Sequence, residues 1–362
     1  MDHPGRQRRL QAALEQNRLD FLLVTHLPNI RYLCGFTGSA GAFLIGDQGA
    51  TFFTDGRYVT QARAEVAGAR IVIARKAPAL AAAEYLAVSR SRTTIRIGLE
   101  SQSVTLAQRD QLRAILKGKW KLVPAPPLVE RVRMVKDKEE IRRIRASIEL
   151  GASLFQVARN KIRPGVKEVE VAAAMEYQAR RSGAEGMSFS TIIAAGKRSA
   201  VVHGRASEAR IPRRGFVVCD FGVILAGYCS DRTRTLHVGP PDSGACRIYQ
   251  AVLDAQLSAI AQVRAGVAAA SVDDAARKVL RKSNLAQYFT HSTGHGLGLE
   301  IHEAPRLAAG QTQILEPGMV ITIEPGAYIP GKRGVRIEDV VVVTSQGCEV
   351  LTPTDKELIV VE

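Results

Sequence analysis

The pattern of hydrophobic and polar positions in the first third of the chain alternates between two periods. Short apolar runs bounded by polar residues predict β-strands at residues 20–25, 41–45, 51–54, 70–74 and 94–99. Longer amphipathic stretches predict helices at residues 57–66 and 105–116. The turn sequence Asp47-Gln48-Gly49 separates two of the strands and predicts a hairpin. Strands interspersed with helices, together with a hairpin, indicate an α/β domain with a mixed sheet.

The most proline-rich segment of the chain, residues 123–127, follows these elements. Proline withholds a backbone donor and restricts the residue before it, so such segments commonly join domains. A chain of 362 residues is also too long for one typical hydrophobic core. Two domains are therefore predicted, one over residues 1–126 and one over residues 127–362.

Beyond this segment the spacing of apolar residues becomes helical. Asp137 and Glu140 form the pattern of a capping box at the start of a long helix, which Pro164-Gly165 terminates. Further helices are predicted up to Gly183 and at residues 245–264 and 271–282. Apolar strands and glycine-rich turns fill the remainder. The second domain is therefore expected to be α+β, with antiparallel strands that carry the polar residues of interest.

Composition and charge exclude several classes of protein. Hydrophobic residues make up 46 % and charged residues 23 % of the chain, as in a soluble globular protein. No apolar run approaches the roughly 18 residues needed to cross a membrane, and the charged amino terminus does not resemble a secretory signal. The net charge of +15 is spread along the chain and aromatic residues reach only 5 %, which argues against nucleic-acid binding. A cytoplasmic protein without a membrane or nucleic-acid partner is expected.

The first candidate for chemistry is the segment at residues 216–238. An apolar strand carries Asp220, a turn at residues 225–227 reverses the chain, and a second strand carries Asp231. Folding at the midpoint of the two positions predicts that the aspartates lie directly opposite each other. Two carboxylates so close repel unless a cation lies between them, so a metal site is indicated. The alternative is that one aspartate caps a turn and the other pairs with a nearby arginine.

The second candidate is a histidine-rich segment at residues 290–305. Three of the seven histidines of the chain, His291, His295 and His302, lie in it, among closely spaced glycines. The glycines argue against the helical His-Glu-x-x-His type of zinc site and allow the backbone to approach a site closely. A single histidine would more often be structural, but three within twelve residues favour a functional site.

The third candidate is a pair of strands near the end of the chain. The apolar strand at residues 320–324 ends in Glu324, and the strand at residues 334–343 places Arg336 and Glu338 on one face. A glutamate within such an apolar strand is costly unless it is paired or binds a metal. The alternatives are an ion pair between Arg336 and Glu338 and an exposed strand end for Glu324. Together, four acids and one histidine resemble the ligand set of a two-metal hydrolytic centre.

These segments resemble the pita-bread metallopeptidases, in the branch of the Xaa-Pro aminopeptidases and prolidases. The match rests on the motifs DFGVILAGYCSDRTRT, HSTGHGLGLEIHE, TIEPG and GVRIED, which occur in the order and at spacings similar to those of the family. NIRYLCGFTGSAG and FFTDGRYVTQA are similar to the amino-terminal domain of this branch. The resemblance implies an α/β amino-terminal domain followed by an α+β, creatinase/aminopeptidase-like pita-bread catalytic domain.

The resemblance also implies five metal ligands and two divalent ions. Asp220 would bind one ion, His295 and Glu324 the other, and Asp231 and Glu338 would bridge them. Manganese is the ion expected first, with cobalt and zinc as alternatives, because all three accept carboxylate and imidazole ligands.

Four further positions match residues that contact substrate or support the site in this family. His203 and His302 correspond to substrate-contacting histidines, Arg336 to an arginine that supports the bridging acids, and Tyr328 to a residue that borders the site. The chain departs from the family pattern at Val202, where a proline usually precedes the histidine. It departs again at Ala226, where a polar residue often precedes Gly-Tyr. Both departures bear on substrate preference rather than on the metal ligands.

The function implied is hydrolysis of the bond between an amino-terminal residue and a following proline. A hydroxide that bridges the two ions would attack, His302 would stabilise the oxyanion, and Glu324 would accept a proton. Proline-containing peptides are the expected partners, and a homodimer is the expected assembly. The alternatives are a dipeptidase limited to Xaa-Pro (prolidase), a creatinase-like hydrolase and a non-catalytic binding protein. The complete ligand set argues against the last two.

Overall fold

The computed structural model describes residues 1–88, 94–352 and 355–362. Backbone contacts divide the chain into two compact units, Met1–Arg133 and Met134–Glu362. The division falls after residue 133, so residues 127–133, which the sequence placed in the second domain, belong to the first unit. Within the described ranges, no helix is long and apolar enough to cross a membrane.

The first unit alternates strands and helices. Its helices are α1 (His3–Gln16), α2 (Leu27–Cys34), α3 (Val59–Glu65), α4 (Pro78–Ala87), α5 (Leu106–Ile115) and α6 (Leu128–Met134). Its strands are β1 (Phe21–Val24), β2 (Ala42–Gly46), β3 (Gly49–Asp55), β4 (Arg70–Ala74), β5 (Ile95–Glu100) and β6 (Trp120–Ala125). The five strands predicted from the apolar runs are confirmed to within two residues.

The six strands form one sheet in the order β4-β3-β2-β1-β5-β6. The pairs β1–β2 and β2–β3 are antiparallel, whereas β3–β4, β1–β5 and β5–β6 are parallel. Gly46 pairs with Gly49 across the predicted hairpin turn. The mixed sheet and the hairpin predicted from the sequence are therefore both confirmed.

The predicted linker at residues 123–127 is wrong in part, because most of it is sheet. Residues 123–125 complete β6 and pair with residues 98–100 of β5. Proline is tolerated here because β6 is an edge strand, where Pro124 need not donate a hydrogen bond on its outer side. Proline density marked the edge of a sheet rather than the boundary between the two units.

In the described part of the second unit, four α-helices pack against several small sheets. The helices are α7 (Lys138–Lys161), α8 (Glu168–Arg181), α9 (Ser243–Gln262) and α10 (Ala269–Lys282). The first strands are β7 (Gly186–Met187), β8 (Ile192–Ala195), β9 (Gly215–Phe221), β10 (Val223–Leu225), β11 (Tyr228–Cys229), β12 (Arg232–Val238) and β13 (Gly294–Gly296). The remaining strands are β14 (Glu303–Leu307), β15 (Val320–Ile323), β16 (Gly326–Ile329), β17 (Arg333–Arg336), β18 (Asp339–Val343), β19 (Cys348–Val350) and β20 (Val360–Val361).

The predicted capping box at the start of α7 is confirmed. The Glu140 backbone N–H donates to Asp137 Oδ1 at 2.9 Å, and the Asp137 N–H donates to Glu140 Oε2 at 3.1 Å. Each bond satisfies a backbone donor that the first helical turn leaves free, and such a cap stabilises a helix by about 1 kcal/mol.

Two sheets of the second unit position the site. One has the order β20-β12-β9-β8, and its apolar face packs on α7 and α8 through a core that includes Phe155, Val171 and Phe221. The other has the order β14-β13-β15-β18-β19, and its apolar face packs on α9 and α10 through a core that includes Val252, Val272 and Ile321. Because strand side chains alternate, the residues between these core positions face away from the helix pair that covers their own sheet.

Candidate metal centre

Two aspartates, one in β9 and one just before β12, lie on the face of this sheet that points away from α7 and α8. Asp220 lies between Cys219 and Phe221, which are both fully buried in the core against α7 and α8. Alternation therefore turns Asp220 to the opposite face. Asp231 immediately precedes β12 and shares a face with Thr233, the residue that pairs with Asp220.

The register of this hairpin differs from the predicted one. The prediction placed Asp220 directly opposite Asp231, whereas Asp220 pairs with Thr233. The difference arises at the turn, where Ala226 and Gly227 have φ values of 49° and 84°. Two consecutive positive φ values define a two-residue hairpin turn, which sets the register. The aspartates are therefore diagonal neighbours on one face, and the prediction of direct opposition is wrong.

His295 is the central residue of β13 and depends on the glycines beside it. A Cβ atom at Gly294 would lie 1.9 Å from the Thr322 carbonyl oxygen, and one at Gly296 would lie 2.3 Å from the Ala304 carbonyl oxygen. Only glycine allows this strand to approach both neighbouring strands so closely. The close approach that these glycines allow is to the two neighbouring strands.

The imidazole of His295 is held as a neutral ligand. Burial lowers its pKa to about 4, so the ring is uncharged near pH 7. Its Nδ1 lies 3.0 Å from the Gly296 carbonyl oxygen, and a carbonyl can only accept. Nδ1 therefore carries the proton, and the Nε2 lone pair is free to bind a metal.

Two glutamates lie where strands end. Glu324 follows the last residue of β15, and Glu338 lies between β17 and β18. The prediction of one strand over residues 334–343 is wrong, because β17 pairs with β16 whereas β18 pairs with β15. The chain changes sheets at this junction, and Glu338 occupies it.

These five side chains converge. Carboxylate oxygens of Asp220, Asp231 and Glu338 lie within 4.8 Å of one another. His295 Nε2 lies 3.6 Å from Asp231 Oδ2 and 3.5 Å from Glu324 Oε1. Asp231 thus belongs to both groups, as expected of a residue that bridges two ions. Arg234 pairs with Asp339, whereas Asp220 forms an ion pair with Arg336 of β17 rather than with a nearby arginine of the hairpin.

The electrostatics of the cluster favour a bound cation. Burial, followed by the charge of Asp220, raises the pKa of Glu338 from 4.5 to about 8. Burial also raises the pKa values of Asp231 and Glu324, with Glu338 as the next cause. Among the residues that the structure describes, buried Asp231 Oδ1 and Glu338 Oε1 have no hydrogen-bond partner. Such oxygens are costly unless a cation accepts their lone pairs, so the residues fit divalent metal ions.

Metal-free protein is expected to lose stability as the pH rises between about 4.5 and 8. A carboxyl such as Glu338, whose pKa is raised from 4.5 to about 8 by folding, binds its proton more tightly in the folded state. Its contribution to stability is therefore present below the unfolded pKa and lost as the pH rises through the folded value. Metal-loaded protein should not show this loss, because the cation replaces the proton.

Calorimetry at several pH values would measure this effect. The difference in unfolding temperature between metal-loaded and chelator-treated protein should widen from pH 5 to pH 8. The variant E338Q, which cannot titrate at this position, should reduce the pH dependence of the metal-free protein. A metal-free unfolding temperature that rises in parallel with that of the loaded protein over this range would contradict the assignment.

Arg336 organises the polar residues behind the carboxylates. Its side chain is 3 % exposed and donates hydrogen bonds to Asp220 Oδ2, to Thr233 Oγ1 at 3.0 Å and to Tyr328 Oη at 2.6 Å. Thr233 in turn donates to Glu338 Oε2 at 2.8 Å. Thr233 therefore links Arg336 to Glu338, and the alternative of a same-face ion pair between Arg336 and Glu338 is not formed.

The Tyr328 hydroxyl connects Arg336 to a third histidine. His291 Nδ1 lies 2.8 Å from the Ser292 carbonyl oxygen, and His291 Nε2 lies 2.9 Å from Tyr328 Oη. Burial lowers the pKa of His291 to about 4 and raises that of Tyr328 to about 12. Both groups are therefore neutral near pH 7, and the hydroxyl donates to His291 while it accepts from Arg336.

One cavity of about 860 Å³ brings the predicted site residues together. Its walls include all eight predicted metal-binding and catalytic residues: His203, Asp220, Asp231, His295, His302, Glu324, Arg336 and Glu338. The His302 ring lies 4.4 Å from that of His295, and burial lowers the pKa of His302. A neutral histidine at the edge of the carboxylate cluster can donate a hydrogen bond to a substrate oxygen.

Several cavity residues were not assigned a role from the sequence. His291 was noted as one of three histidines, but only the fold reveals its contact with Tyr328. Arg205 and Arg306 also line the cavity. Arg306 pairs with His295 across β13 and β14, and strand pairing is the signal that could have identified it.

Comparisons with known proteins agree with this arrangement. Residues 142–345 match the model of metallopeptidase family M24, and residues 6–135 match the creatinase/prolidase amino-terminal domain. An Xaa-Pro dipeptidase of Pyrococcus horikoshii is 37 % identical over 96 % of both chains. The structure of an Xaa-Pro dipeptidase from Bacillus anthracis superposes with a TM-score of 0.93, at 39 % identity, over 99 % of this chain and 100 % of the other. The structure of an X-Pro aminopeptidase from Thermotoga maritima superposes with a TM-score of 0.89, at 34 % identity, over 98 % of this chain and 100 % of the other.

Proposed function

The chain belongs to metallopeptidase family M24, with a creatinase/prolidase-type amino-terminal domain before a pita-bread catalytic domain, and we propose that it is an Xaa-Pro dipeptidase. The sequence favoured an aminopeptidase, with the dipeptidase as the alternative. The named relatives support the alternative better, since two of the three described above are dipeptidases. The observation that carries the proposal is the single cavity in which the five clustered ligands and Arg306 meet.

Five residues would hold two divalent ions in this proposal. Asp220 would bind one ion, His295 and Glu324 the other, and Asp231 and Glu338 would bridge. The orphaned oxygens of Asp231 and Glu338 support the bridging roles, because each would otherwise be a buried acceptor without a donor. The contact of His295 Nε2 with both Asp231 and Glu324 supports the second group. Manganese is the ion proposed first, since it accepts both carboxylate and imidazole ligands.

The chemistry divides between the ions and the side chains. When bound, two divalent ions lower the pKa of a shared water and polarise the scissile carbonyl. Glu324, which faces the cavity, accepts a proton from the attacking water. The proline nitrogen must gain a proton as it leaves, and Glu324 is placed to return it. His302 donates a hydrogen bond to the carbonyl oxygen as its negative charge develops.

Arg306 is the residue that we assign to dipeptide recognition. An Xaa-Pro dipeptide differs from a longer peptide in that its proline carries a free carboxylate. Arg306 is the antiparallel partner of His295, so the two side chains leave the sheet on the same face, with Cβ atoms about 5 Å apart. Guanidinium groups bind carboxylates in a bidentate manner. The substrate carboxylate would therefore be held one strand away from the metal ligand.

Loss of Arg306 should weaken binding of free dipeptides selectively. We expect R306Q to raise KM for an Xaa-Pro dipeptide about 10- to 100-fold, which corresponds to the loss of one charge-assisted hydrogen-bonded pair. KM for the corresponding dipeptide carboxamide should change little, because that substrate lacks the charge. The measurement is steady-state kinetics on the acid and the amide in parallel.

Two controls make this experiment decisive. R205Q removes a second arginine of the cavity wall, one that, among the described residues, makes no contact with the clustered carboxylates in the way Arg336 does, and should leave the ratio of acid to amide kcat/KM within about threefold of wild type. An Xaa-Pro-containing tripeptide tests substrate length directly. Efficient release of its first residue, with an unchanged acid-to-amide ratio in R306Q, would favour the aminopeptidase alternative instead.

Assembly and location are expectations of the same proposal. A homodimer is expected from the family resemblance, and analytical ultracentrifugation would measure it. Cytoplasmic placement likewise stays a prediction from the sequence.

A further inference from the structure

One short loop supplies three residues of the cavity wall. Residues 196–206, here called the His203 loop, follow β8 and include Val202, His203 and Arg205. His203 itself is exposed on this loop. Its position relative to the metal ligands therefore depends on how the backbone of the loop is held.

A buried carboxylate joins the two ends of the His203 loop. Glu168, the first residue of α8, is 0 % exposed. It accepts hydrogen bonds from the Ala195 N–H at 2.8 Å, from the Ser207 N–H at 3.1 Å and from Ser207 Oγ at 2.7 Å. Ala195 and Ser207 are the residues immediately before and after the loop. A single side chain thus closes the loop at its base.

The same carboxylate also acts within the loop. Arg198 Nε donates to Glu168 Oε2 at 3.0 Å and Oε1 at 3.2 Å, while Arg198 Nη2 donates to the Arg205 carbonyl oxygen at 2.8 Å. The Arg205 N–H donates to the His203 carbonyl oxygen at 2.9 Å. A chain of hydrogen bonds therefore runs from Glu168 to the backbone of His203.

The opposite side of the loop is attached to the strand that carries Arg336. The Gly334 N–H donates to Ser199 Oγ at 2.8 Å, and Arg336 Nη1 donates to the Val202 carbonyl oxygen at 3.1 Å. The loop is thus fixed from the metal side by β17 and from the helix side by Glu168. Loss of Glu168 would remove the second of these attachments and leave the hydrogen bonds to β17.

We infer that Glu168 is a positioning residue that holds His203 against the substrate; the substrate part of this inference rests on the proposed dipeptidase function. Complete burial of a carboxylate is costly unless hydrogen bonds and a counter-charge compensate it. Here backbone and hydroxyl donors and one guanidinium do so, and all of them belong to the loop or its ends. Glutamine has one acceptor oxygen in place of two and adds donors that oppose these groups.

Steady-state kinetics with E168Q tests this inference. We expect kcat/KM for an Xaa-Pro dipeptide to fall about tenfold, mainly through KM, because misplacement of a substrate-contacting group by about 1 Å is enough for such a loss. E170Q, which removes an exposed carboxylate on the same helix, should stay within twofold of wild type. In the H203A background, E168Q should lower kcat/KM by less than twofold. An undiminished tenfold effect in that background would overturn the inference.

Hydrogen exchange provides a second readout that does not require activity. Peptides from residues 199–206 should lose protection in E168Q but not in E170Q, whereas peptides from β12 and β18 should be unchanged. R198Q removes the arginine that links Glu168 to the Arg205 carbonyl oxygen, and Arg198 is 36 % exposed, so its replacement disturbs the core less. This variant should give the same loss of protection even if E168Q does not fold. Unchanged protection of the loop in both variants would overturn the inference. Failure of wild-type protein to cleave any Xaa-Pro peptide would instead count against the proposed function.

Discussion

Replacement of Asp231 by asparagine is expected to lower kcat/KM at least about a thousandfold. Asp231 lies within 4.8 Å of carboxylate oxygens of Asp220 and Glu338, and its Oδ2 lies 3.6 Å from Nε2 of His295, a proposed metal ligand. Loss of its charge should therefore release at least one of the two ions rather than merely weaken a contact. The measurements are kinetics on an Xaa-Pro dipeptide and metal content by mass spectrometry under native conditions.

A surface aspartate provides the matched control for this variant. D254N alters an exposed residue of α9 that accepts a hydrogen bond only from within its own helix, from Gln250, and should keep wild-type activity and metal content. D231N protein that folds, retains two ions per chain and turns over within tenfold of wild type would refute the bridging role. It would also favour the alternative that the aspartates cap a turn and form ion pairs rather than bind metal.

The second large effect is expected at His302. H302A should lower kcat about a hundredfold and change KM only a few-fold, because a donor that acts on the developing oxyanion contributes mainly in the transition state. Metal content should not change, since His302 is a neighbour of His295 in the cavity but is not one of the five proposed metal ligands. Single-turnover kinetics with metal-saturated enzyme would measure this loss.

His203 offers a comparison within the same cavity. H203A removes a histidine that lies on an exposed loop, and its effect is expected mainly in KM. If H302A instead raised KM a hundredfold with kcat unchanged, His302 would be a substrate-binding group rather than an oxyanion donor.

The sequence was most informative where one local rule decided the structure. The sequence predicts that an apolar strand carries Asp220, and the structure places this residue in β9, on the face opposite Cys219 and Phe221. The glycines around His295 argued against a helix, and the structure places His295 in a strand, β13. Side-chain chemistry was also informative, because an acid within an apolar segment, such as Glu338, needs a compensating partner, and Glu338 is 1 % exposed.

The sequence was least informative where the structure depends on pairing between distant segments. The register of the Asp220–Asp231 hairpin depends on the left-handed conformation of Ala226, a residue that gives no sequence signal for it. The segment around Arg336 and Asp339 has the pattern of one apolar strand. It is divided because β17 pairs with β16, whereas β18 pairs with β15 in a different sheet. Arg306 is joined to His295 only by strand pairing.

Two elements that the sequence pattern does not predict, α1 and β6, also depend on contacts between distant segments. The helix α1 has a strongly polar sequence, and its fully buried residues include Arg6, so its pattern of burial differs from its pattern of hydrophobicity. The edge strand β6 contains Pro124 and was taken for a linker. In both cases tertiary contacts, rather than local composition, decide the structure.

The decisive experiment is metal-dependent cleavage of an Xaa-Pro dipeptide. Chelator-treated protein should show no turnover, and addition of manganese, cobalt or zinc should restore it as two ions bind per chain. This result would connect the five clustered ligands to the chemistry. Full activity in protein shown to be free of metal, or no cleavage of any Xaa-Pro dipeptide by protein that holds two ions, would contradict the proposed two-metal dipeptidase.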